Sequence, residues 1–150
     1  MAYVNYTVLQ FGEGNFIRAF FDWMLQKIQD AGGGEQRVFL VQPIPEGRVE
    51  EIVAAGEYHA LLRGYREGAY EEILDPVRVV KGGANPFAPG GLEKMLEAAL
   101  SPDLRVVTSN TTEAGIFFEK RTEPHNYPSL LAAALNLRAK AGLSPLYILP

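Results

Sequence analysis

Cysteine is absent from this 150-residue chain. Without a thiol there is no disulfide framework and no zinc site built on thiolates, and the absence suits a reducing compartment. Histidine is scarce, with two residues, His59 and His125. Neither has a second histidine or a carboxylate at ligand spacing, so no metal site is expected. No apolar run approaches the roughly 18 residues of a membrane span. The N-terminus has no basic segment leading into an apolar stretch, so no secretory signal is expected and cytoplasm is the default location. The net charge of −4 gives no support to a nucleic-acid surface. No Ser/His/Asp arrangement stands out and no lysine sits in a recognisable catalytic setting, so no catalytic residue is assigned in this chain. What remains, with 47% hydrophobic and 21% charged residues, is an ordinary globular chain of one domain's length.

What is present is an alternation of strand and helix patterns. Tyr6 to Phe11 is apolar and β-prone, as in a strand covered on both faces. A turn follows at Gly12-Glu13-Gly14, and a helix begins at Asn15. Ile17, Phe20, Phe21, Met24, Leu25 and Ile28 fall at helical spacing on one face. Arg18, Asp22 and Gln26 are read as the opposite, solvated face, with Arg18 pairing Asp22. The aromatic cluster Phe16, Phe20, Phe21 and Trp23 is read as core. Gly32 to Gly34 end the helix, and Arg37 to Gln42 is a second buried strand. The resulting βαβ unit is expected to be right-handed, with its strands parallel.

Arg48 to Ala55 is a short helix closed by Gly56. Two extended stretches, Tyr58 to Tyr65 and Ala69 to Val80, flank Arg66-Glu67-Gly68 and predict a bulged hairpin inserted into the parallel domain. Val77 to Val80 would return as a sheet strand, and Gly82 to Gly91 is read as a loop. A helix over Leu92 to Leu100, a strand over Arg105 to Ser109, a helix over Ser129 to Ala141 and a strand from Tyr147 to Leu149 complete the chain. The class is α/β with a mainly parallel sheet. The chain stops at Pro150, just as a strand begins, so a fragment cut at or near a domain boundary is expected.

In parallel sheets, ligands bind outside the carboxyl ends of the strands. That rule places Gly12 to Phe16, Gln42 to Glu46 and Asn110 to Glu113 along one edge. Two glycines between a strand and a helix let the backbone approach a phosphate, while the first helical N–H groups point at it. The G-x-G-x-x-G fingerprint is incomplete, because Ile17 stands where the third glycine would be. Glu13 is awkward, since a carboxylate repels a phosphate unless it points away. The ribose-binding acid expected at the end of the second strand is replaced by Gln42, with Glu46 four residues on; either could hydrogen-bond a ribose, or both are loop residues. Asn110 and Glu113 have capping-box spacing; the alternative places Thr111, Thr112 and Glu113 beside a nicotinamide. The candidate cofactor-binding set is Phe11, Gly12, Gly14, Asn15, Phe16, Ile17, Gln42, Glu46, Asn110, Thr111, Thr112 and Glu113. Rival ligands for a glycine turn of this kind are S-adenosylmethionine, in a methyltransferase, and a nucleotide in a non-enzymatic sensor.

Four stretches carry a more specific signal: LQFGEGNFIRAF (9–20), VQPI (41–44), LLRG (61–64) and TSNTTEAGI (108–116). Together they resemble the mannitol dehydrogenase family of long-chain polyol dehydrogenases, and within it the sugar-acid reductases. The family's G-x-G-x-F-x-R-A turn is matched by Gly12, Gly14, Phe16, Arg18 and Ala19. The resemblance implies a Rossmann-like domain over 1–150, with helices on both faces of a mainly parallel sheet and an inserted antiparallel hairpin. It implies NAD as cofactor, and reversible hydride transfer between NADH and a keto sugar acid (tagaturonate giving altronate), with mannitol or fructuronate as alternative substrates within the family. A further helical domain, carrying a catalytic lysine with Asn and His, would meet the sugar acid; none of its residues matches this chain. The fragment is therefore expected to bind NAD(H), to be inactive alone, and to have no nucleic-acid or membrane partner.

Overall fold

A computed structural model describes residues 5–110, 130–144 and 146–149. Strands β1 (Val8–Phe11) and β2 (Val38–Val41) pair in parallel at the centre. The hairpin is β3 (Tyr58–Arg66) with β4 (Ala69–Val77). Three further strands, β5 (Val80–Ala84), β6 (Val106–Ser109) and β7 (Tyr147–Leu149), complete a five-stranded sheet in the order β5-β2-β1-β6-β7. All four pairings in that sheet are parallel. The chain winds outward from β1 through β2 to β5, then crosses to β6 and β7 on the other side. The order reverses between β1 and β6, the topological switch point of a doubly wound sheet.

Helices cover both faces because each central strand is apolar on both sides. Successive side chains alternate across the sheet. Leu9, Phe11, Phe39 and Val41 pack under α4 (Gly91–Ala99) and α5 (Leu130–Lys140), against Met95, Ala98, Ala99 and Ala134. Val8, Val38 and Leu40 face the other way, toward Leu25 and toward Val49 and Ile52 of α3 (Val49–Ala55). Each fully buried Val or Leu contributes about 1.5–3 kcal/mol by leaving water. Arg138, 3% exposed, clamps the first layer. It donates to the carbonyls of Ala99, Ser101 and Leu104 at 2.7–3.1 Å, meeting acceptors that the end of α4 leaves open.

The helix after the glycine turn departs from the expected face. It runs without a break through α1 (Asn15–Ile17), a π-helical turn (Arg18–Asp22) and α2 (Trp23–Asp30). Asp22 and Gln26 are 0% and 3% exposed, whereas Phe16 is 68% and Phe20 53% exposed. The solvated face predicted from Arg18, Asp22 and Gln26 is thus an inward face. The aromatic core cluster holds only for Phe21 and Trp23, which pack against the second layer. Phe16 and Phe20 stack on each other outside. A π turn carries an extra residue and rotates everything beyond it. The polar side chains that turn inward find partners there: Asp22 is met by Tyr58 and Gln10, and Gln26 accepts from the backbone N–H of Arg78.

Two loop expectations also change. Arg66 pairs directly with Ala69, so the hairpin closes on two residues without a bulge. Glu67 and Gly68 both have positive φ, 51° and 83°, as a type I′ turn requires. Strand β5 continues to Ala84, through Gly82 and Gly83 that read as loop. A Cβ on Gly82 would lie 2.9 Å from Cζ of Tyr6, and one on Gly83 would lie 2.9 Å from the Leu40 carbonyl oxygen. These are strand glycines that let neighbours come close.

Candidate functional site

The sheet brings three strand ends together. The Gly12 N–H donates to Val41 O at 2.9 Å, the Asn110 N–H to Phe11 O at 3.2 Å, and the Gln42 N–H to Ala84 O at 3.0 Å. Gly12, Gln42 and Asn110 therefore stand side by side at the carboxyl edge, with the switch point between β1 and β6 among them. Thr111, Thr112 and Glu113 lie outside the described residues, as does His125. His59 sits on the exposed hairpin, 3.5 Å from Glu57.

The two glycines of the turn differ in kind. Gly12 has φ 120°, which L side chains rarely adopt. Gly14 has φ −63° and ψ 162°, open to any residue. Among the described residues a Cβ on Gly14 would meet only Asn110 Nδ2, at 4.0 Å. Nothing among them forbids a side chain there, and the surface left bare is the one a ligand would rest against. Gly14 is also the N-cap, with no side-chain hydrogen bond to the helix start. Among the described residues the first helical N–H groups, beginning at Asn15, thus lack a side-chain cap and are available to an anion. Phe11 and Ile17 are buried beneath the turn, and Phe16 stands out from it.

Arg18 makes no ion pair with Asp22 among the described residues, contrary to expectation. It folds back over the turn, with Nε donating to Glu13 O at 2.8 Å and Nη2 to Asn15 Oδ1 at 2.8 Å. Its guanidinium also lies 4.9 Å from the centre of the Tyr58 ring. The arginine stiffens the turn, and its charge stays near the helix start.

Gln42 is 2% exposed and its amide is committed to its own loop. Nε2 donates to Ile44 O and Pro45 O, each at 2.9 Å, while Oε1 accepts from the Val49 N–H at 3.4 Å. Glu46 is exposed on the same loop. Here a shallow cavity of about 380 Å³ is lined by Gln42, Glu46, Gly47, Arg48 and Asn85, among others. A larger concavity, about 430 Å³, opens at the opposite end of the sheet. Its Arg37 is already engaged by Glu35 and Asp103, and it lacks the glycine turn and the open helix start.

Beneath the turn lies a polar cluster that sequence reading missed. Gln10 Nε2 donates to Gly12 O at 3.2 Å and to Asp22 Oδ2 at 3.3 Å. The Tyr58 hydroxyl lies 2.9 Å from the same Oδ2 and 3.1 Å from Arg18 O, two acceptors for its single proton. Burial pushes the Asp22 carboxyl up to about 7, against the lowering effect of the Tyr58 and Gln10 hydrogen bonds and of the Arg18 charge. Burial, together with the neighbouring Asp22, raises the Tyr58 hydroxyl as well. Gln10 Oε1 and Asp22 Oδ1 are buried without a hydrogen-bond partner among the described residues. A proton on Asp22 removes the buried charge, as the raised value favours. The signal available in advance was Gln10 itself, since a polar residue inside a doubly covered strand requires a buried partner. Among the described residues no cluster of metal-ligating side chains occurs, and no helix is long and apolar enough to cross a membrane.

Residues 6–150 match the family model described as the mannitol dehydrogenase Rossmann domain. Altronate oxidoreductase of Halalkalibacterium halodurans is 38% identical over 135 residues, covering 85% of this chain and 26% of that protein. Altronate oxidoreductase of Bacteroides thetaiotaomicron is 35% identical over 123 residues, with 81% and 25% covered. The chain thus spans about a quarter of the length of these curated relatives. Among solved structures, Pseudomonas fluorescens mannitol 2-dehydrogenase, in a ternary complex with NAD and D-mannitol, superposes with a TM-score of 0.76. It has 16% identity and covers 98% of this chain and 33% of its own. Substrate-free D-sorbitol dehydrogenase gives a TM-score of 0.71 at 18% identity, covering 97% of this chain and 34% of its own. At these identities the two structures bear on the fold alone.

Proposed function

Because the chain belongs to the mannitol dehydrogenase family, through that family's Rossmann domain, we propose that it is the NAD-binding part of a dehydrogenase acting on a keto sugar acid, the tagaturonate–altronate pair. The observation that carries the reading is the Gly12-Glu13-Gly14 turn at the switch point. There a helix start without a side-chain cap and a glycine whose Cβ would meet no clash, both among the described residues, face the same edge. The residues fit a dinucleotide. Gly12 makes the turn, Gly14 leaves the backbone bare for a pyrophosphate, and the N–H groups from Asn15 onward receive its charge. Asn110, together with Thr111, Thr112 and Glu113, is assigned to the nicotinamide side, and Phe11, Phe16 and Ile17 frame the turn. Arg18 holds the turn in shape. When bound, the nicotinamide supplies or accepts the hydride. Proton transfer to the sugar oxygen belongs to a part of the protein beyond this chain.

The sugar-acid substrate follows from the altronate oxidoreductase relatives, and NAD as cofactor agrees with the ligand of the mannitol 2-dehydrogenase complex. Titration calorimetry of this chain with NADH is expected to give saturable one-site binding in the micromolar-to-millimolar range, with no altronate oxidation on addition of NAD. Absence of binding at millimolar NADH overturns the cofactor assignment. Turnover by the chain alone overturns the division of labour.

A further inference from the structure

The ribose of a dinucleotide is usually held by an acid at the end of the second strand. This chain has Gln42 there, and its amide is fully engaged in bracing the β2–α3 loop. The structure places a different carboxylate at that loop. Glu13, in the glycine turn after β1, extends its side chain across to Gly47. A Cβ on Gly47 would collide with Glu13 Oε1 and would lie 2.5 Å from Cδ and 2.6 Å from Oε1 of Gln42. Gly47 has no positive φ. Its missing side chain is therefore explained by space, and the space is filled by the Glu13 carboxylate beside the buried Gln42 amide.

Two further facts define what Glu13 can do. Its backbone is pinned, because Arg18 Nε donates to its carbonyl oxygen at 2.8 Å. Its carboxylate has neither a hydrogen bond nor an ion pair among the described residues, whereas neighbouring Arg48 is spent on Glu51 at 2.8 Å. An open carboxylate thus sits between the glycine turn and the second-strand loop. This also answers the difficulty of an acid at a phosphate site, since the side chain points along the edge toward the loop and not over the helix start.

We propose that Glu13, from the first strand's turn, is the specificity-determining acid of this site. It accepts the hydroxyls of the adenosine ribose and rejects a 2′-phosphate, the role that strand-end acids serve elsewhere. The inference rests on the dinucleotide reading above. A carboxylate accepts two vicinal hydroxyls well, while a phosphate in their place meets like charge in a confined setting.

The test compares NADH and NADPH affinities, by titration calorimetry, for the unmodified chain, Glu13→Gln and Glu46→Gln, with circular dichroism and melting temperature as checks on folding. The unmodified chain should prefer NADH by at least roughly tenfold. Glu13→Gln should weaken NADH by roughly tenfold and bring the two cofactors to near parity. Glu46→Gln should leave the preference intact. A preference that survives in Glu13→Gln overturns the proposal, as does one lost in Glu46→Gln or missing from the unmodified chain. If the unmodified chain binds neither dinucleotide, the reading beneath the proposal fails with it, a result distinct from the others. Should Glu13→Gln fail to fold, Glu13→Ala removes the same carboxylate without adding an atom to the loop and must shift the preference in the same direction; an unchanged preference there overturns the proposal.

Discussion

Strands β2 and β4 are held in opposite ways. All four residues of β2 are buried, and each of its neighbours is another strand of the sheet. Of the nine residues of β4 only Val77, at its end, is buried. The tip of the hairpin carries exposed pairs, Arg63 with Glu72 and Arg66 with Glu71, of the kind that contribute about 0–1 kcal/mol. Its base is anchored by specific polar contacts to the helix that follows the glycine turn. Trp23 Nε1 and Lys27 Nζ both reach Asp75, at 2.8 and 2.9 Å, and Tyr58 reaches Asp22. Burial places the sheet, while polar contacts orient the inserted element against it. The site lies where the two regimes meet, because the helix that receives the hairpin is the one that begins at Gly14.

The widest separation between the two regimes is expected in the sheet. Leu40→Ala in β2 removes a fully buried side chain and should cost about 2–5 kcal/mol, measured by urea unfolding. A loss under about 1 kcal/mol would mean that the sheet is not what holds the domain together.

The junction comes next, and its effect depends on pH. Asp22 titrates near 7 in the folded chain because burial disfavours its charged form. Between the ordinary carboxylate range and 7 the folded state holds a proton that the unfolded state has released, so stability falls as pH rises through that window. Asp22→Asn resembles the protonated acid and should flatten this dependence. The variant should match the unmodified chain near pH 4 and exceed it above pH 7, by up to about 4 kcal/mol. Urea unfolding at a series of pH values decides it. A variant less stable than the unmodified chain at pH 8 would show that the ionised carboxylate is favourable where it sits.

The same division explains what could be read in advance. Four of the five sheet strands were legible because each is an apolar run bounded by glycine, proline or polar residues, and the order of helices and strands left a parallel sheet as the natural solution; β5 was not, because its Gly82 and Gly83 read as loop. The hairpin was legible from two extended stretches around a glycine-containing connection, although its two-residue turn was not. The face of the first helix was not, because the π turn at Arg18–Asp22 breaks the helical period on which the reading depended. The inward polar residues Asp22 and Gln26 looked solvated for the same reason, since only tertiary partners such as Tyr58 and the Arg78 backbone give them a buried home. In the site, the glycine turn and the edge it shares with Gln42 and Asn110 were visible from strand ends alone. The direction of Glu13 was not, because no sequence pattern says which loop a side chain leans on.

Binding of NADH to Gly14→Val addresses the glycine turn most directly. The backbone at Gly14 is extended and open to a β-branched residue, and among the described residues a Cβ there meets only Asn110 Nδ2, at 4.0 Å. Stability should fall by about 1 kcal/mol, the difference between glycine and an apolar residue at an N-cap. NADH affinity should fall by at least roughly tenfold, because the new side chain occupies the surface left bare for the pyrophosphate. A folded Gly14→Val chain that binds NADH as tightly as the unmodified one would contradict the placement of the cofactor at this turn.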